Sequence, residues 1–210
     1  MGTIRCVLAG AALLTAMLQT PPAAAQTSEQ INWCAGTGGA TLDQRIIGCT
    51  AVIASKSRKG ESLAVVYNTR GNAYLNKREY DRAIEDYNQS ILNDISNSDT
   101  FYNRGLAYNR KGNHDRAIVD FSRAIAGFDP ARFPAYFKRD YFKVRADAYG
   151  ALGNFDRAIA DYSEAIKIDP KYARGFYNRS VVKRKTGDTA GSDADLVQAK
   201  ELQSDIGDEE

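Results

Sequence analysis

Histidine appears once in the 210 residues, at His114, and cysteine three times, at Cys6, Cys34 and Cys49. Cys6 lies in a leader-like first segment, and the two thiols and one imidazole beyond it are too few to build a zinc centre from Cys and His. Neither a metal nor a cofactor is expected. Charge of either sign is not in excess: 28 Lys and Arg face 26 Asp and Glu, a formal balance of +2, so no strong field draws the chain to nucleic acid or an anionic membrane. Long apolar runs are scarce too. The longest, residues 7–18, is about a dozen residues where a membrane-crossing helix needs roughly 20. Gly36-Thr37-Gly38-Gly39 is glycine-rich, but no Gly-Lys-Ser/Thr follows it, which excludes a phosphate-binding loop; it reads as a loop between two cysteines.

The first 25 residues combine Arg5, the apolar run and the small residues Ala23-Ala24-Ala25 before Gln26. That is the three-part plan of a secretory signal peptide. The segment predicts export to the periplasm, or secretion, with a mature chain starting at or near Gln26 and no integral membrane segment after cleavage. An uncleaved anchor is the competing reading. Cleavage removes Cys6 and leaves Cys34 and Cys49 in an oxidising space, where a pair usually forms a disulfide; the alternative is that Cys49 is a small core hydrophobe.

The remainder is repetitive. Tyr80-Asp81-Arg82-Ala83-Ile84-Glu85-Asp86-Tyr87 returns as His114 to Phe121 and again as Phe155 to Tyr162. Ahead of these lie Tyr67 to Tyr74, Phe101 to Tyr108, Phe142 to Tyr149 and, more weakly, Phe176 to Lys183. The small residues Gly71, Gly105, Ala146 and Ser180 stand 12 positions before Ala83, Ala117, Ala158 and Ser192 in every copy. Aromatic and small residues spaced by three and four share one helical face, which must be buried against a neighbour. Each copy is therefore a helix pair. Lys77-Arg78, Arg110-Lys111 and Lys183-Arg184-Lys185 fall where a first helix should stop, with Gly112, Gly153 and Gly187 in the turns; cations and glycine suit helix C-termini. His114 takes the slot of Tyr80 and Phe155 and reads as a packing residue. Asp86, Asp120 and Asp161 recur with the repeat, which argues for structure rather than catalysis.

The 34-residue spacing and the slots Tyr67, Gly71, Tyr74, Ala83 and Tyr87, with their counterparts Phe101 to Phe121 and Phe142 to Pro170, resemble the tetratricopeptide-repeat (TPR) family. One slot departs consistently: Arg70, Arg104, Arg145 and Arg179 stand where the family most often has Leu. The resemblance implies an all-α, right-handed superhelical solenoid of antiparallel helix pairs, with four repeats at about 64–97, 98–131, 139–172 and 173–206. Residues 26–60 would carry a lone capping helix over Leu42 to Ser55, and residues 205–210 a frayed acidic tail. It also implies a concave groove that binds a protein or peptide, lined by Asn68, Asn72, Tyr102, Leu106, Lys143, Asp147, Arg174, Tyr177 and Val181, with Asn103 and Asn178 at its border. Tyr102 and Tyr177 are the expected exposed aromatic contacts. Asn72 and Asn103 match part of the family's clamp for a C-terminal carboxylate, but Asn68, Asp140 and Val144 stand in its basic slots, so no clamp is expected. A scaffold or adaptor is the leading reading. A chaperone or accessory subunit of an envelope secretion or assembly system is the alternative, and an enzyme with an unrecognised site the third.

The repeat breaks once, where seven extra residues separate the second and third units. Phe128, Phe133, Tyr136 and Phe137 crowd this stretch beside Arg132, Lys138 and Arg139. They form either a binding lip, exposing Phe133 and Phe137, or a filling for a wider gap.

Overall fold

The computed structural model describes residues 27–207; the signal-like segment with Cys6 and Gln26, and the last three residues, lie outside that range. Among the described residues there are ten α-helices and no strand: α1 (Ser28–Ala35), α2 (Leu42–Ala54), α3 (Glu61–Asn76), α4 (Tyr80–Asn93), α5 (Ser98–Arg110), α6 (His114–Ala126), α7 (Ala135–Ala151), α8 (Phe155–Ile168), α9 (Ala173–Lys185) and α10 (Thr189–Leu202). None of these helices is long and apolar enough to cross a membrane. Helices α3 to α10 pack as four consecutive pairs, each touching the next, and the first helices of successive pairs also touch, α3 with α5 and α5 with α7. That contact puts the first helices on the inner, concave side of a solenoid.

Small residues let the two helices of a pair close up. A Cβ added at Gly105 would lie 2.6 Å from the Phe121 ring, and Phe121 itself is fully buried. The next first helix then covers that ring with Val144 and Ala148. Turns follow one pattern, in which Gly112, Gly153 and Gly187 hold φ of 77°, 74° and 85°, but the first turn places Arg78 at φ 62°. A side chain in this left-handed region costs about 1–2 kcal/mol. Arg78→Gly is therefore expected to stabilise the chain by about 0.5–1 kcal/mol after glycine's larger entropy loss is subtracted, measured by chemical denaturation; a loss of stability would contradict it.

The arginines in the Leu slot have a common task. Arg70, Arg104, Arg145 and Arg179 each form a two-pronged ion pair with the carboxylate 16 residues on, Asp86, Asp120, Asp161 and Asp195, at 2.7–2.8 Å. The remaining guanidinium nitrogen of each reaches back to the previous pair, to Thr50, Asn88, Ser122 and Ser163. Each arginine thus ties together three helices, its own, its partner and the second helix of the preceding unit. Planar bidentate geometry is what arginine supplies and leucine cannot. The periodic aspartates are accounted for by this brace. At Asp195, burial works against ionisation, yet Arg179 and the additional cation Lys183 outweigh it and hold the carboxyl below its ordinary range.

Two expectations at the ends are corrected. The helix over Leu42–Ala54 is not alone: α1 packs along it, with Gly48 so close that a Cβ there would meet the Gln30 carbonyl oxygen at 2.4 Å. Cys34 on α1 and Cys49 on α2 are joined by a disulfide, their Cα atoms 4.6 Å apart. Sequence reasoning missed α1 because eight residues with one capping box, Thr27 and Gln30, give little periodicity. Closing a 15-residue loop is worth about 3 kcal/mol in the chain-entropy model. Reduction should accordingly raise amide exchange in α1 and α2 while leaving α5 to α10 unchanged; two free thiols on the unreduced chain would contradict the bond. At the other end, residues 203–207 do not fray. Ile206 is 2% exposed and packs with Ala173, Ala199, Tyr177 and Leu202.

The insertion divides between loop and helix. Loop 127–134 has eight residues where 94–97 and 169–172 have four. Helix α7 starts 11 residues before Ala146, whereas α5 and α9 start seven before Gly105 and Ser180. Pro134 is the residue just before α7, where its missing N–H leaves no hydrogen bond unmade.

Candidate protein-binding groove

Four slots on each first helix lie on or beside the concave side: six and three positions before the small residue, two before it, at the border, where Val144 turns onto Phe121, and one after. The first slot holds Val65, Asp99, Asp140 and Arg174; the second Asn68, Tyr102, Lys143 and Tyr177; the third Thr69, Asn103, Val144 and Asn178; the last Asn72, Leu106, Asp147 and Val181.

Many of the expected contact residues are already engaged with one another. Asn103 donates to Asn68 across α5 and α3 at 3.2 Å. Asn72 accepts from the Tyr87 hydroxyl at 2.7 Å, so neither asparagine of the clamp pattern stands free. Leu106 packs into the Ala117 and Phe121 cluster, and Lys143 pairs with Asp147 at 2.7 Å. Asp147 also accepts from Tyr162, which is bonded to Asn178 as well. Tyr102 is a correction: it is half-buried, its ring 4.7 Å from Tyr141 and 6.1 Å from Phe121. Burial, with Asp140, Tyr172, Asp99 and Asp147 near by, pushes its phenol up to about 12. Its place is a buttress beneath the groove, because Tyr141, in the slot that Thr100 and Gly175 fill in the neighbouring units, packs against it. Tyr177 is likewise half-buried beneath Gly207 and Ile206.

What remains open to a partner is more apolar than the sequence reading implied. Val65 is 49% and Val181 40% exposed, and Arg174 is exposed and forms no ion pair among the described residues. Three carboxylates, Asp99, Asp140 and Asp147, occupy the centre, held respectively by the Tyr141 hydroxyl, Arg139 and Lys143. Val65 and Asp99 were missed as groove residues, and Asp140 was placed only in a basic slot of the clamp pattern. The same periodic reading carried two turns back from Gly71, Gly105 and Ala146 finds them.

The inserted aromatics form a ladder, Phe128 to Phe133 to Phe137 to Tyr136, with ring centroids 6.5, 5.5 and 4.6 Å apart. Arg132 lies over Phe133 and Lys138 over Phe128. Phe128 and Phe137 pack onto the buried cluster of Phe101, Ala124 and Tyr141. Phe133 and Phe137 are half-buried, and only Tyr136, 50% exposed, stands out from the ladder. This is mainly gap filling. No group of three or more His, Cys, Asp and Glu side chains among the described residues is arranged to hold a metal.

A family model described as tetratricopeptide repeat matches residues 68–133, and one described as TPR repeat matches residues 146–187. Together they span just over half of the chain. The chain belongs to the tetratricopeptide-repeat family. Its TPR stack is similar to that of MamA from Desulfovibrio magneticus RS-1, at 13% identity and a TM-score of 0.71 over 87% of this chain and 99% of that one. It is also similar to YrrB, a TPR protein with an unusual peptide-binding site, at 19% identity and a TM-score of 0.67 over 83% of this chain and 84% of that one. The first TPR of Spaghetti (RPAP3), bound to the HSP90 peptide SRMEEVD, matches at 23% identity with a TM-score of 0.55, covering 62% and 98% of the two chains. These likenesses are of fold. No curated protein matches the sequence. TPR proteins in general are interaction scaffolds rather than enzymes.

Proposed function

We propose that this TPR protein is an exported, periplasmic scaffold that holds a protein or peptide segment in its concave groove. One observation carries the reading. After stacking has used the asparagines, Tyr102 and Lys143, the groove still presents Val65, Val181 and Arg174 to solvent, on helices fixed by four arginine braces. Exposed aliphatic side chains on a rigid concave surface gain from a partner at little cost in order. The peptide-binding sites named for YrrB and Spaghetti support the same use of this fold. Export rests on the leader-like residues 1–25 and on the Cys34–Cys49 bond. Intact mass of the exported chain tests it: a start at or near Gln26 is expected, and a mass retaining residues 1–25 would contradict it. Binding is tested by capture from the periplasm with the chain and its Val65→Asp and Val181→Asp variants. One stoichiometric partner, weakened at least tenfold by either change, is the expected result. Undiminished capture, or a spread of unfolded clients, would overturn the reading.

A further inference from the structure

A second docking surface lies at the C-terminal end of the stack and meets the groove only at Val181 and Tyr177. In each inner unit, the aromatic four positions after the small residue of the second helix is capped by the next first helix: Tyr87 by Ala107, Phe121 by Val144 and Ala148, Tyr162 by Val182. The last unit has Leu196 in that slot. No first helix follows it among the described residues. Ile206 replaces only one contact of such a helix: it packs on Ala199, where Thr100 meets Ser90 and Tyr141 meets Ala124 within the stack. Beside it a recess of about 490 Å³ stays open between α9 and α10, lined by Val181, Arg184, Lys185, Leu196, Lys200 and Ile206 among others.

Two features give the missing occupant a chemistry. The slot after the aromatic accepts the reach-back bond of the next arginine at Thr50, Asn88, Ser122 and Ser163. In the last unit it is Val197, 59% exposed, which can accept nothing. The rim carries cations and no carboxylate among its lining residues: Arg184, which is met by Asp193, and Lys185, which forms no ion pair among the described residues. We infer that the α9–α10 end face is a docking site for an acidic amphipathic helix from another protein. The helix lies where a fifth first helix would lie, with small or β-branched residues over Leu196 and an apolar side chain, not arginine, over Val197. The face continues the interface by which α5, α7 and α9 dock on the units before them, and opposite charge on the rim selects the partner.

Fluorescence anisotropy on the full chain tests this with two labelled peptides of residues 140–152, the segment of α7 that covers Phe121. One has the parent sequence, in which Lys143 and Arg145 balance Asp140 and Asp147; the other carries Lys143→Glu and Arg145→Leu. The acidic, arginine-free peptide should bind at least tenfold more tightly at low salt, and lose that advantage when the chain carries Leu196→Arg or the surface change Val197→Asp. The groove change Val65→Asp should leave it untouched. Equal binding of the two peptides, indifference to Val197→Asp in a folded variant, or loss with Val65→Asp would overturn the proposal. So would a concentration-dependent dimer abolished by Val197→Asp, which would give the face to a second copy. Because Val65→Asp, on the first unit and outside this recess, is read separately, failure here leaves the groove reading standing.

Discussion

Arg104→Met is expected to destabilise the chain by about 3–5 kcal/mol, because it leaves Asp120 as an uncompensated charge in the interior. The Asp120 side chain is 3% exposed and that of Arg104 17%. The arginine supplies both charge-assisted bonds to the carboxylate and a third to Asn88 on the preceding unit. Removing both charges is a different experiment. Arg104→Met with Asp120→Leu should recover most of the loss, since a buried pair replaced by apolar groups of similar volume is often neutral. Urea denaturation of the single and double variants decides it. A single-variant loss below about 1 kcal/mol would place the pair among ordinary surface bridges and remove the physical reason for arginine in the Leu slot. The double variant should still lose repeat-to-repeat coupling, because the bond to Asn88 is gone.

Tyr141→Ala carries the second large effect, about 3–5 kcal/mol for emptying a large aromatic site. Tyr141 is fully buried, packs against Tyr102 with tilted rings, meets Phe128 edge-on at 6.2 Å and donates to Asp99. Phe133→Ala, at a half-buried position, should cost only about 1 kcal/mol. The contrast separates the two readings of the insertion. Gap filling makes Phe137 structural, packed on the repeat residue Tyr141, whereas a lip would make Phe133→Ala neutral for stability and harmful for binding. Thermal melting of both variants, with partner capture measured on the folded fraction, distinguishes them; equal losses at 133 and 141 would contradict the packing described.

The fold was legible because repetition multiplies weak signals. Gly71, Gly105 and Ala146, each 12 residues ahead of an alanine, define a helix pair with few alternatives, and the pairs are found at those positions. The arginines and aspartates were visible as a periodic anomaly, but their pairing was not, since 16 residues of separation carry no local meaning until the two helices face each other. The groove was harder to read. Helical periodicity says which face a residue is on and not whether a neighbour already uses it; Asn68 is taken by Asn103 and Tyr102 by Tyr141, an aromatic in a slot that holds Thr100 and Gly175 in the adjoining units. Helix α1 and the buried Ile206 escaped because neither repeats.

The concave face, not the convex one, is proposed to hold the partner. Site-specific photo-crosslinking tests it directly, with the reactive side chain placed in turn at Val65 and Val181 on the first helices and at Leu92 and Val119 on the second, which are 77% and 55% exposed. Partner adducts are expected from Val65 and Val181 and none from Leu92 or Val119. Adducts from the second-helix positions, with silence at Val65 and Val181, would contradict it.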